Sequence, residues 1–104
     1  QARGGAGAVK LVEALELYEK SKAIKIKALG HDHVDVAKPL NSIAIIYQKQ
    51  GKLVEALELF EKSLAITIKA LGHDHVDVAT PLNSIAIIYQ TQGKLVEALE
   101  TRRA

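Results

Sequence analysis

Two identical His-Asp-His triplets are the groups in this sequence whose types and spacing suggest chemistry. They are His31–Asp32–His33 and His73–Asp74–His75. Two imidazoles close together in sequence can ligate a transition metal such as zinc or nickel. Spacing of this kind is weak evidence by itself, so we predict no dedicated metal site and allow only adventitious binding of such ions.

The rest of the chain offers no set of residues for catalysis. It has no cysteine, which removes thiolate metal sites, cysteine nucleophiles and disulfide bonds together. A catalytic site would also need a nucleophile or paired carboxylates that converge in a cleft, and the charged residues are spread over surface positions instead. We therefore predict that the protein is not an enzyme and needs no cofactor.

Composition argues against two further classes of protein. A formal net charge of +2 is too small to predict nucleic-acid binding, and no basic cluster is interleaved with aromatic residues. The longest apolar runs, 43–47 and 85–89, are far shorter than the about 18 residues that a membrane-spanning helix needs. The sequence therefore predicts a soluble protein, and the absence of cysteine is compatible with a cytoplasmic location.

An internal repeat of 42 residues organises the chain. Residues 9–50 and 51–92 align without gaps and differ at six positions, and a third copy begins at Gly93. Residues 1–8 precede the first copy and are rich in glycine, so we predict that they form a flexible linker or cloning remnant, and that 9–104 form one array. The differing pairs are Val9/Gly51, Tyr18/Phe60, Lys22/Leu64, Lys25/Thr67, Lys38/Thr80 and Lys49/Thr91.

Each copy carries the apolar periodicity of two helices. In the second copy, apolar residues recur at three- and four-residue steps over 53–71 and again over 78–89. Gly72 and Gly93 follow these stretches as predicted left-handed caps. The sequence therefore predicts long helices over 9–29 and 52–71, short helices over 35–50 and 77–92, and a truncated long helix over 94–103.

The start of each short helix has two interpretations. An N-cap at Asp74 would leave Pro81 inside the helix, where proline removes a backbone hydrogen bond and bends the first turns. A later start near Asp77 would bring Pro81 into the opening turn, and we favour this interpretation. The same choice applies in the first copy to Asp32, Asp35 and Pro39.

Several apolar and glycine positions of the repeat occur in a recognisable order. They are Leu82, Ile85, Ala86, Tyr89, Gly93 and Ala98, and in the preceding copy Leu40, Ile43, Ala44, Tyr47, Gly51, Ala56 and Phe60. Together with the linker 70–79, they resemble the tetratricopeptide repeats of the kinesin-light-chain class, where a proline commonly takes the place of Val76. The resemblance implies an all-α fold of antiparallel helical hairpins stacked as a right-handed superhelix. It also gives the linker histidines a role in helix capping and packing.

In such arrays the short helices line a concave groove, and the resemblance implies that this groove binds extended peptide segments of partner proteins. An amide both donates and accepts, so Asn41 and Asn83 can bond a peptide backbone whatever its sequence, or else both are merely solvated. Lys38 and Lys49 would favour an acidic peptide, or else are solvated charges without a role. Helical spacing places ten candidates along one side of the short helices: Lys38, Asn41, Ile45, Gln48 and Lys49, and their copies Thr80, Asn83, Ile87, Gln90 and Thr91.

The two ends of the array form a second candidate surface. Apolar residues of the terminal helices should be exposed there, although Lys22, Lys25 and Arg102 look like solubilising substitutions. An alternative function is therefore a structural module that forms homo-oligomers through its ends, either as a closed dimer or by head-to-tail stacking. The candidates for this contact are Leu11, Val12 and Leu15 at one end, and Leu95, Val96 and Leu99 at the other.

Overall fold

Four α-helices and two 3-10 turns form the array in the computed structural model, which describes residues 2–93 and 99–102, with side chains from residue 7 onward. The helices α1 to α4 span Ala2–Leu29, Ala37–Lys49, Leu53–Leu71 and Ala79–Thr91, and residues 99–102 are also helical. The 3-10 turns at Val34–Val36 and Val76–Val78 lead into α2 and α4. No strand occurs in these described ranges, so the fold is all-α, and this prediction is confirmed.

The first helix is longer than the sequence predicts. It begins at Ala2 rather than at residue 9, and so includes most of the segment that we expected to be a flexible linker. Each glycine in this segment costs about 1 kcal/mol relative to alanine. Once a helix has formed, however, each added residue gains a hydrogen bond without a new nucleation step, and the alanines at positions 2, 6 and 8 favour this extension.

Histidines, and not the predicted aspartates, begin the 3-10 turns. In the second copy, Nδ1 of His75 accepts a hydrogen bond from the backbone N–H of Asp77 at 3.1 Å. The same bond joins His33 and Asp35 in the first copy, also at 3.1 Å. The imidazole thus satisfies one of the free N–H groups at the start of the turn, which is the task of an N-cap. The prediction of an aspartate cap is therefore wrong in both copies.

The prolines fall in the first turn of each short helix. Pro39 and Pro81 are the third residues of α2 and α4, and both are buried. The first N–H groups of a helix have no partner within it, so a proline there loses no hydrogen bond. The preceding 3-10 turns therefore allow each proline to start a helix without bending it.

A three-residue turn joins α2 to α3 as an antiparallel hairpin. Gly51 has a φ of 79°, and the backbone N–H of Lys52 donates to the carbonyl of Tyr47 at 2.8 Å. A positive φ at this point is accessible to glycine with little strain, which explains the residue type. The Lys52 ammonium also lies 5.5 Å from the centroid of the Tyr47 ring, within the range of a cation–π interaction.

The core lies between successive helices, because α1 packs on α2, α2 on α3, and α3 on α4. Phe60 of α3 is fully buried in one cluster with Ala44 and Ala56 and with Ile85 and Ile88 of α4. A second cluster joins the first 3-10 turn and the start of α2 to the middle of α3. The fold is therefore a solenoid in which each helix is covered by its neighbours in the chain.

The capping bond generates the first prediction. Replacing His75 with alanine should lower the free energy of unfolding by about 1 kcal/mol, because the N–H of Asp77 loses its acceptor. Replacement with asparagine should restore most of this loss, since its side-chain oxygen can also accept. The measurement is urea denaturation followed by far-UV circular dichroism.

His73→Ala is the matched control for this cap. His73 lies in the same linker and is exposed, and no hydrogen bond of its side chain is present in the described part of the chain. Its replacement should change the free energy of unfolding by less than about 0.5 kcal/mol. Equal losses in the two alanine variants would contradict the assignment of His75 as the cap.

Candidate functional site

One side of each short helix is open to solvent. The buried residues of α2 are Ala37, Pro39, Leu40, Ile43, Ala44 and Ile46. The predicted groove residues occupy five of the seven other positions of that helix: Lys38, Ile45 and Lys49 are exposed, and Asn41 and Gln48 are half-buried. Their copies on α4 are all exposed: Thr80, Asn83, Ile87, Gln90 and Thr91. The ten candidates are therefore accessible to a partner.

A cavity of about 540 Å³ lies beside the first turns of α2 and α4. Three of the predicted groove residues line it, namely Lys38, Asn41 and Thr80, and the other seven do not. The remaining lining residues come from the long helices and from the 3-10 turns with the residues that follow them: Lys25, Thr67 and Leu71, and Val34, Asp35, Ala37 and Asp77. The structure thus joins both repeats in one concave surface.

The amide of Asn41 is the least satisfied polar group of the cavity. Its Oδ1 atom is buried and has no hydrogen-bond partner among the described residues. Such a group lowers the free energy of unfolding by about 1–3 kcal/mol, because it has lost its hydrogen bonds to water without gaining a donor in the protein. Gln50 and Gln92 carry oxygens of the same kind, but they lie at the ends of α2 and α4 and do not line the cavity.

Two of the six pairs that differ between the copies line this cavity. Lys25 and its copy Thr67 both line it, and so do Lys38 and its copy Thr80. The first repeat therefore contributes two ammonium groups where the second contributes two hydroxyl groups. Two carboxylates, from Asp35 and Asp77, line the same cavity and balance the two ammonium groups in formal charge.

Sequence reasoning missed part of this surface. Lys25, Thr67 and the two aspartates lie outside the short helices, so helical spacing along those helices could not select them. The available signal was the exchange of lysine for threonine between copies, which occurs at three of the six differing positions.

The His-Asp-His triplets are arranged as turn caps. Nδ1 of His75 lies 3.8 Å from Oδ2 of Asp77, and the same two atoms of His33 and Asp35 are 4.0 Å apart. Each of these Nδ1 atoms already accepts a backbone N–H, which removes it as a metal ligand. Across residues 2–93 and 99–102, no group of three or more potential ligands is placed to hold a metal ion.

The predicted association residues differ in how accessible they are. Leu11 and Leu15 are half-buried, while Val12 and Leu99 are exposed. Leu95 and Val96 lie outside the described residues. The most exposed apolar side chains of α1 are instead Leu17 and Ile24, at 69% and 60%. No helix in the described ranges combines the length and apolar character needed to cross a membrane.

Comparison with known proteins identifies similar chains. The family model described as Tetratricopeptide repeat matches residues 10–67 and 35–101. A crystal structure from Podosopora anserina, described as a kinesin light chain with nearly identical TPR-like repeats, is 33% identical with a TM-score of 0.73. The match covers 96% of this chain and 47% of that one, so the present chain spans about half of its length. No functionally curated protein matches in sequence.

The unpartnered amide oxygen generates the second prediction. Replacing Asn41 with leucine, which has a similar shape, should raise the free energy of unfolding by about 1 kcal/mol, because a buried acceptor without a donor disappears. Thermal and urea unfolding measure this change. Asn83→Leu is the control: Asn83 is exposed, so its replacement should change stability by less than about 0.5 kcal/mol. A loss of stability in Asn41→Leu would mean that the amide has a structural partner.

Proposed function

The chain belongs to the tetratricopeptide repeat family, in its kinesin-light-chain class, and from this premise we propose that it binds extended segments of partner proteins along the open side of α2 and α4. Repeats of this family mediate protein–protein interactions and form non-enzymatic scaffolds. The proposed function accordingly needs neither catalysis nor a cofactor. The proposal is limited to the present chain, which matches 47% of the longer relative.

The buried oxygen of Asn41 is the observation that carries the proposal. Because no hydrogen bond from another described residue holds this amide, it can turn toward the cavity without breaking one. In the cavity its oxygen can accept a backbone N–H of a bound segment, and its nitrogen can donate to a backbone carbonyl. Binding would thus remove a cost that the free protein bears. Asn83, one repeat further along, is exposed and can make the same pair of bonds.

Apolar contact comes from the middle of the same side. Ile45 and Ile87 are 39% and 42% exposed, and they occupy equivalent positions on α2 and α4. Each follows its asparagine by one turn of helix, so a segment bonded to the asparagines passes close to both isoleucines. Alternate side chains of an extended segment can bury against them.

Charge distinguishes the two halves of this surface. Lys38 and Lys49 stand on α2 where α4 carries Thr80 and Thr91, so only the first half is cationic. The carboxylates in the cavity oppose an acidic residue beside Lys38, whereas Lys49 is outside the cavity. We therefore place an acidic residue of the partner near Lys49 and uncharged residues along α4.

The backbone contacts generate the third prediction. Against the best binder from a library of short unstructured peptides, the double variant Asn41→Ala with Asn83→Ala should bind about tenfold more weakly, because two amide contacts are lost. Fluorescence anisotropy with a labelled peptide measures the affinity. The matched control replaces Glu16 and Glu58 with alanine. These two exposed residues occupy the same repeat position on α1 and α3, and the control should bind the peptide as the unmodified protein does. Equal affinity in all three proteins would overturn the proposed contact.

The charge of the first half generates the fourth prediction. Lys49→Ala should weaken binding of a glutamate-containing peptide about two- to fivefold, because exposed ion pairs contribute at most about 1 kcal/mol. The affinity for the same peptide with glutamine in place of glutamate should not change. Lys62→Ala removes an exposed lysine of α3 as a control. If the two lysine variants behave alike with both peptides, the acidic partner is excluded.

A further inference from the structure

The outer face of α1 has nearly the same residues as a face that α3 buries within the chain, but in α1 this face is exposed. Ile66 of α3 is 5% exposed and Phe60 is fully buried. Their copies on α1, Ile24 and Tyr18, are 60% and 40% exposed. The sequence of the face is nearly the same in the two helices. The difference in exposure arises because α3 has a short helix on each side, whereas α1 has only α2 beside it in the described ranges.

The first turn of α4 carries the complementary face. In α2, Ala37 and Leu40 are 6% and 2% exposed because α3 and α1 cover them. Their copies in α4 are an exposed Ala79 and a half-buried Leu82. Val78 and Ala86, the copies of Val36 and Ala44, are 3% and 0% exposed, so this face of α4 is open at Ala79 and Leu82.

The residues of the contact between α2 and α3 are nearly identical to their copies in α4 and α1. The contact includes nine buried positions of the first 3-10 turn, α2 and α3, and seven of their copies are unchanged in the second 3-10 turn, α4 and α1. The unchanged pairs are Val36/Val78, Ala37/Ala79, Leu40/Leu82, Ala44/Ala86, Ala56/Ala14, Ser63/Ser21 and Ile66/Ile24, and the changed pairs are Phe60/Tyr18 and Thr67/Lys25.

We propose that α1 of one molecule packs on α4 of a second molecule in the same way that α3 packs on α2, which continues the solenoid head to tail. Ser63 shows how specific the contact is, because its hydroxyl donates to the carbonyl of Ala37 at 3.4 Å. Ser21 of the second molecule would donate to the carbonyl of Ala79 in the same manner. This geometry is heterologous, so it produces a growing series of oligomers rather than a closed dimer.

The two changed residues are compatible with this contact. Thr67 lines the cavity together with Asp35 of the preceding repeat. By the same relation, Lys25 of the second molecule would lie near Asp77 of the first, so a cation arrives where a carboxylate is already present. Tyr18 keeps the aromatic ring of Phe60 and adds a hydroxyl that suits its exposure in the free molecule.

A competing segment of the same chain raises the concentration that association requires. The sequence Lys94–Glu100 is identical to Lys10–Glu16, the beginning of α1. By sequence, this segment and α1 of a second molecule are rivals for the same place after α4. Association therefore needs a concentration at which the longer α1 outcompetes the segment.

Charge reversal tests the inference with the full-length chain. We expect the mass of the unmodified protein in size-exclusion chromatography with light scattering to rise steadily with concentration. Lys25→Glu alone and Asp77→Lys alone should each associate about five- to tenfold more weakly, because like charges then meet at the junction. An equimolar mixture of the two variants should recover association and form oligomers in which the two variants alternate, since each junction between unlike variants joins a cation to a carboxylate.

Matched apolar substitutions separate this contact from general stickiness. Ile24→Asp should abolish association, whereas Val54→Asp should not, although Val54 is 61% exposed on α3. Circular dichroism should show that all variants remain folded. A constant monomer mass in the unmodified protein, a closed dimer, equal effects of the two aspartate substitutions, or a mixture no better than its components would each overturn the proposal. None of these outcomes depends on whether the groove binds peptides.

Discussion

The burial of Phe60 between three helices is the interaction on which the array depends. Its ring lies on α3 and reaches Ala44 of α2 and Ile85 and Ile88 of α4. The alanine at position 44 leaves room for the ring, so α2 and α3 can approach closely. Without the following short helix, one side of the ring would face water. A single repeat therefore cannot bury its own core, and each repeat is completed by the next.

This constraint explains where the two copies differ. The apolar residues that enclose Phe60 must keep their volumes, because changes in a packed core are costly in either direction. Lysine and threonine exchange instead at Lys38/Thr80 and Lys49/Thr91, which are exposed in both copies. Lys25/Thr67 is the informative exception, since Thr67 is 3% exposed and its hydroxyl bonds to the carbonyl of Ser63 at 2.8 Å. Lys25 is only half-buried in the described part of the chain, so a lysine is tolerated at that position.

The elements follow from the sequence to different degrees. Periodicity was sufficient to predict the all-α fold, because apolar residues such as Leu40 and Ile43 recur about once per helical turn. The caps did not follow from periodicity, since the bond from Asp77 to His75 depends on a backbone conformation that composition does not specify. Only the family resemblance gave the linker histidines a capping role. The residues that line the cavity were harder still to predict. Lys25 and Asp77 are far apart in the sequence and meet only through the packing of the helices between them.

The two proposed contacts are linked through that cavity. Lys25, Asp35 and Lys38 line it from the first repeat, and Thr67, Asp77 and Thr80 from the second. A head-to-tail junction would bring the second set from one molecule next to the first set from another, and so would form a new cavity of the same composition. A segment long enough to cross the junction would then bind both molecules. By thermodynamic linkage, such a segment must strengthen their association by the same factor by which the association strengthens its binding.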